Sequence, residues 1–191
     1  WGKEVSISTT KAAYSPTDKN TQTPGSILAF EGHWPAGIRT GAWQVDRTLG
    51  SSWGYVEGMS FGNPAGVIGT LADIASKNGT LLLNLSPKSD GTIPQPEQEA
   101  LLSIGQWLAI NGEAIYDTHN WTQFGEEGRG ALKIRFTVKG NALYAIILGQ
   151  WPGAEAVIAS LAKIRLPPKK LSGSACSAVM ANLILNRMPA D

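Results

Sequence analysis

The sequence predicts an α/β domain built on a parallel sheet, followed by the beginning of an all-β one. Three observations carry this. Short, continuously apolar strands alternate with amphipathic helices up to about residue 112, the texture of a sheet covered on both faces. After Tyr116 the texture changes to two strands around a Lys-Gly-Asn turn, an antiparallel hairpin. The composition, 42% hydrophobic over 191 residues with a net charge of +1, suits one globular domain or two small ones and does not suit disorder.

The elements follow in order. KEVSIS (Lys3 to Ser8) alternates Val5 and Ile7 with polar residues and reads as a strand. SPTDKNTQTPG is a loop by its Pro, Gly, Asn and Asp content. SILAF is a short buried strand that delivers Glu31 at its end, WPAGIRTG is loop, and AWQVDR is the next strand. In PAGVIGTLADIASKNG, residues Val67, Ile68, Leu71, Ile74 and Ala75 fall on one helical face, with Pro64 at the start and Gly79 at the end. TLLLNLS reads as a fully buried strand. PEQEALLSIGQWLAING is a second amphipathic helix with Leu101, Leu102, Ile104, Trp107 and Leu108 apolar and Gly112 as its C-cap. ALKIRFTVKGNALYAIILG is the hairpin. No internal repeat is present.

Several function classes drop out. The chain has no basic excess, so nucleic acid is not an expected partner. No apolar run approaches the roughly 18 residues of a membrane span. The single Cys176 excludes an internal disulfide and a multi-Cys metal site, and His33 and His119 lie too far apart in sequence to suggest a His-based one. No metal or cofactor is expected. The glycines of KNGT and SDG lack phosphate-cradling spacing. Seven Trp are many for this length, and the chain begins with Trp1 without a signal-peptide pattern. It reads as a piece of something longer.

KNGTLLLNLSPKSDGTIP, then IGQWLAINGEAIYDT, then a strand pair ending LYAIILGQWP, with WQVDRTLGSSWGY before them, resemble the α-L-fucosidases of glycoside hydrolase family 29. The resemblance covers residues 1 to about 163. It implies that 1–118 is the C-terminal part of a (β/α)8-like (TIM) barrel and 119–163 the start of a C-terminal β-sandwich. It implies retaining hydrolysis of terminal α-L-fucose on a fucosylated oligosaccharide or glycoconjugate, with the nucleophile Asp on a barrel strand upstream of Trp1. The chain alone is then expected to be inactive. The family habit points to a periplasmic or secreted enzyme; oligomeric state is not legible.

Retaining hydrolysis needs two carboxyl groups roughly 5–5.5 Å apart, one to attack and one to protonate the leaving oxygen and then activate water. The second must hold a proton at working pH, which an apolar setting favours. Glu31 ends an apolar strand, where barrel active sites lie, with Phe30 and Trp34 near it in sequence. It is the candidate acid/base; the plainer alternative is a salt bridge or a loop tip. Family members often carry Trp-Glu where this chain has Trp43-Gln44. An amide is neither acid nor base at neutral pH, so Gln44 becomes a binding or scaffold residue. Asp46, on the same strand face as Gln44, is a supporting residue, or pairs with Arg39 or Arg47.

Fucose carries a methyl group and needs an apolar wall, which a Trp supplies. The resemblance assigns that wall to the Trp53 position. Tyr55 is core or supporting. Trp34 and Trp43 either shape the leaving-group side or pack. His33 reads as a substrate contact or as a loop His bonded to backbone, His119 as structural, Glu113 as a capping or ion-pairing residue, and Asn84 as a hydrogen-bond organiser at a strand end. Asn78, Asn84 and Asn120 head Asn-x-Ser/Thr triplets. Two rival readings are a non-catalytic glycan-binding protein on the same scaffold and a hydrolase for another sugar.

Residues 164–191 no longer resemble the sandwich and lack strand alternation. Shifted by one base, with suitable synonymous codons, they give text like the sandwich strands expected there. The tail is therefore expected to be out of frame or divergent, and to carry no functional residue.

Overall fold

A computed structural model describes residues 8–11, 26–128, 132–149, 156–161, 165–166 and 178–181. The KEVSIS strand and the SPTDKNTQTPG loop lie outside the described residues, save that Ser8 opens β1 (Ser8–Lys11). β2 (Ser26–Glu31), β3 (Trp43–Thr48) and β4 (Thr80–Asn84) follow, and the four strands form one parallel sheet in the order β1-β2-β3-β4. Helix α1 (Pro64–Ser76) connects β3 to β4, and α2 (Gln95–Asn111) follows β4 and runs into a 3-10 turn, Gly112–Ala114.

Helix α1 starts and stops for local reasons. Asn63 caps it, its side chain accepting from Gly66 N at 2.7 Å, with Pro64 in the first turn. At its end Asn78 takes the left-handed conformation (φ 69°), and the amides of Asn78 and Gly79 return to the carbonyls of Ala75 and Ile74. The left-handed residue is thus Asn78, not Gly79. Gly79 is required for another reason: a Cβ there would sit inside the Trp43 ring. Gly112 does stand at the C-cap of α2 as expected, but in right-handed conformation. Its missing Cβ makes room for the Tyr116 ring.

β5 (His119–Glu127), β6 (Lys133–Lys139), β7 (Ala142–Leu148) and β10 (Ala178–Ala181) form an antiparallel sheet in the order β10-β7-β6-β5. The hairpin turns at Gly140, whose φ of 56° only glycine adopts freely, and Lys139 pairs with Ala142 across it. β8 (Ala156–Val157) and β9 (Arg165–Leu166) pair separately. Two short strands, β9 and β10, fall within residues 164–191. β10 pairs antiparallel with β7, from Ala178 opposite Leu148 to Ala181 opposite Ala145, and backbone pairing of this kind accepts any extended segment.

The molecule is layered. Leu28, Trp43 and Val45 of the parallel sheet pack on Ile74 of α1. Ile68 and Ala72 of the same helix pack with Ile104 and Trp107 of α2 and with Tyr144 and Ile146 of the antiparallel sheet. The far face of that sheet has its own core, with Ile134, Phe136 and Ile147 against Ile158. So α1 is covered from two sides. Its buried positions are Ile68, Thr70, Ala72, Ile74 and Ser76, more than the single face its apolar spacing indicates.

Two burial expectations are overturned. β4 is not fully buried: Leu82 is 54% exposed, because no described element covers that face and β4 ends the sheet. On α2, Leu102 is exposed, while Ala100, Ile104, Trp107 and Glu97 are buried.

Candidate active site

Pairing in register sorts the parallel strands into two faces. Leu28, Phe30, Trp43, Val45 and Leu81 point to α1. Ala29, Glu31, Gln44, Asp46, Leu82 and Asn84 alternate with them and share the opposite, open face. Glu31 pairs with Asp46, so the two carboxylates stand side by side at the C-terminal ends of adjacent parallel strands. Gln44 Nε2 donates to Asp46 Oδ1 at 3.2 Å. Asp46 thus meets Gln44 and neither Arg39 nor Arg47; Arg47 lies on the other face and donates to Thr70 Oγ1 at 2.7 Å.

Glu31 is exposed. The apolar surroundings expected from its sequence neighbours do not form, because alternation sends Phe30 to the helix side. At Gly32 the backbone turns with φ 67° and its amide bonds to Asp46 O at 3.0 Å. His33 Nδ1 donates to the Glu31 carbonyl at 2.8 Å, and its ring meets Phe30 edge-on. His33 is engaged by backbone, as the plainer sequence reading had it.

The loop from Leu49 to Gly62 follows β3 and overhangs the same strand ends. It is closed on itself by Ser51 N to Ser60 O (2.9 Å) and Gly62 N to Leu49 O (2.8 Å). Asn84 Nδ2, at the end of β4, donates to Trp53 O at 2.8 Å, which is the organising role expected of Asn84. Thr48 Oγ1 and Ser86 Oγ both donate to Ser52 O. Trp53 is held by its backbone, and the residue stays 53% exposed. Tyr55 is exposed too, with Lys88 Nζ 5.8 Å above its ring, so it is not core.

Two aromatic candidates leave the site. Trp43 is 2% exposed, faces α1 and donates through Nε1 to Lys77 O at 3.2 Å. It cannot reach the Glu31 face. Trp34 is drawn to the helix side, where Nε1 donates to Asp73 Oδ2 at 2.7 Å and Arg47 stacks over its ring. Both are packing residues because strand alternation and the Gly32 turn direct them there. A cavity of about 330 Å³ between β3, β4 and the start of α1, lined by Arg47, Phe61, Asn63, Val67, Thr70 and Leu81, also lies on the helix side, away from Glu31.

Three residues stand elsewhere than catalysis. Glu113 accepts from Tyr144 Oη at 2.7 Å, and His119 Nδ1 donates to Val138 O. Glu97, which the sequence reading passed over, is fully buried and accepts the Ser86 amide, at 3.0 Å to one oxygen and 3.3 Å to the other. It braces the turn after β4. Its position in the first turn of α2, where acids favour the helix dipole, was the available signal. Among the described residues no group of three or more His, Cys, Asp and Glu side chains gathers to hold a metal ion, and no helix is long and apolar enough to cross a membrane.

The family model for alpha-L-fucosidase matches residues 4–113, more than half of the chain. The chain belongs to the α-L-fucosidase family. It is 36% identical over 122 residues to the tissue alpha-L-fucosidase of Homo sapiens, covering 62% of this chain and 26% of that protein. Against the tissue enzyme of Bos taurus it is 41% identical over 104 residues, covering 53% and 21%. A Thermotoga maritima alpha-fucosidase solved in complex with fucose aligns over 85% of this chain and 42% of its own, with a TM-score of 0.62 and 29% identity. The chain thus spans about a quarter of the length of the two mammalian relatives.

Proposed function

We propose that this chain is the C-terminal part of a retaining α-L-fucosidase, with Glu31 as its general acid/base. The parallel sheet is then a sector of a (β/α)8-like barrel, and the antiparallel sheet the start of the sandwich domain. The carrying observation is that Glu31 and Asp46 stand side by side, and Asn84 holds the Trp53 loop, at the C-terminal ends of the same parallel sheet, where barrel enzymes place their chemistry. The nucleophile Asp belongs to a strand upstream of Trp1. The substrate is a terminal α-L-fucoside of a glycan, in the periplasm or outside the cell, and neither metal nor nucleic acid takes part.

The roles follow from position. Glu31 protonates the departing glycosidic oxygen and later takes a proton from water. Asp46, fixed by Gln44, orients hydroxyls beside it. The ring of the exposed Trp53 meets the sugar's apolar side, and Asn84 sets the height of that loop.

The longer protein should release α-L-fucose as the first anomer from an aryl α-L-fucoside, seen by proton NMR during early turnover. β-L-fucose first would exclude the retaining route. A chain that binds fucose without turnover even with its upstream half would favour the glycan-binding reading, which Gln44 in place of an acid supports. Turnover of another aryl glycoside in preference would move it to a related hydrolase. We read residues 164–191 as an out-of-frame or divergent tail; the DNA sequence across the Lys163 codon decides that point.

A further inference from the structure

We propose that Asp73 is a positioning residue, tying the loop that follows Glu31 to the antiparallel sheet through Trp34 on one oxygen and Arg135 on the other. This rests on the assignment of Glu31 as acid/base and extends it to a residue on the far side of the sheet.

The geometry is continuous. Glu31 ends β2; Gly32 turns the chain, and Trp34 drops to the helix side. There its Nε1 donates to Asp73 Oδ2 at 2.7 Å, and the Arg47 guanidinium lies 5.6 Å from the ring centroid on the indole. Asp73 sits on α1, 13% exposed at its side chain. Lys77 Nζ shares Oδ2 at 2.6 Å, and Arg135 Nε from β6 holds Oδ1. Arg135 is 7% exposed and also donates to Ile134 O. The Phe124 ring of β5 receives both cations, Lys77 at 4.8 Å and Arg135 at 5.5 Å.

A buried ion pair is a poor way to gain stability, since apolar residues of the same volume do as well or better. What it does give is direction. A carboxylate with two oxygens can hold two partners at fixed angles, here one from the active-site loop and one from the second sheet. Trp34 has one donor and one way to satisfy it in this place. The loop that follows Glu31 therefore has its height set by α1 and, through Arg135, by β6.

The test uses the longer protein, with its upstream half, and two variants of it, Trp34→Phe and Arg135→Met, with Arg135→Lys as the conservative control. Amide hydrogen exchange across residues 31–39 should rise about tenfold in both variants, the scale of one lost charge-assisted hydrogen bond. In Trp34→Phe the β6–β7 hairpin should keep its protection. On an aryl α-L-fucoside, kcat should fall with KM little changed, and Arg135→Lys should recover most of it. Exchange at 31–39 that stays at the wild-type level, or that rises equally everywhere, overturns the proposal. So does a faster-exchanging loop with wild-type kcat. If the wild type turns over no fucoside, the assignment of Glu31 fails, while the exchange data still decide whether Asp73 fixes the loop.

Discussion

Trp43, at the start of β3, and Trp53, in the loop that follows it, do opposite work. Trp43 fills the space beneath α1 and leaves no room for a Cβ at Gly79. Trp53 stays exposed while Asn84 holds its carbonyl. Both contacts give predictions. Gly79→Ala should lower stability by about 1–3 kcal/mol, the usual cost of overpacking a core, read from the urea midpoint. Trp53→Ala should raise the Kd for fucose about tenfold or more by calorimetry, because one aromatic wall accounts for that much apolar contact. An unchanged Kd would remove Trp53 from the site. At this scale the sequence was a partial guide. Position at the end of an apolar strand singled out Glu31 and Asn84 as candidates, and the family resemblance singled out Trp53. Side-chain type could not separate Trp43 from Trp53, because that depends on which face each residue takes.

The elements were legible where periodicity was strong. The ends of β2 and of α1 follow from the SILAF run and from Pro64 and Gly79, and the hairpin from Lys-Gly-Asn; the capping parts of Asn63 and Asn78 did not show in the sequence. β5 was not foreseen: its pairing shifts register between Asn120 and Gly125 and its burial does not alternate. A bulged strand has no period to read. The fully buried reading of β4 failed because burial depends on neighbours that no single strand encodes. Packing between elements also sets the response to pH. Burial pushes the Asp73 carboxyl up, but hydrogen bonds from Lys77, Trp34 and Arg135, with the Arg135 charge, outweigh it and hold it below its ordinary 3.8. Its contribution to stability is full above that value and is lost as pH falls through the lower folded one. Asp73→Asn should flatten the acid limb of the stability curve. At the other end, burial first, then the bond to and charge of Glu113, push the Tyr144 hydroxyl up to about 12 from 10.0. That stabilisation is present below pH 10 and fades as pH rises through about 12. Tyr144→Phe should remove that part of the alkaline loss in a circular dichroism titration.

At the scale of the whole molecule, the chain is three layers, with α1 and α2 between a parallel and an antiparallel sheet. Two features stay open among the described residues: the Glu31 face of the parallel sheet and its outer edges at β1 and β4. Open parallel edges invite association. Under the proposed function both are closed by upstream strands, which also bring the nucleophile. The 191-residue chain alone should then show no turnover of an aryl fucoside and should aggregate as its concentration rises, visible by light scattering. The α/β character and the change to an all-β texture after Tyr116 could be read from the sequence, because apolar runs and turn residues change there. The packing of α1 between two sheets could not, since Asp73 and Arg135 meet across a separation that no local pattern records.

The central claim is that Glu31 donates the proton to the leaving group, and leaving-group dependence tests it most directly. In the longer fucosidase, Glu31→Ala should slow cleavage of natural glycans by roughly 10²–10⁴. Across aryl fucosides of graded leaving-group pKa, the bond-breaking step of the variant should depend steeply on that pKa, and the best leaving groups should lose little. An equal loss on every substrate would contradict the claim and leave Glu31 a binding residue.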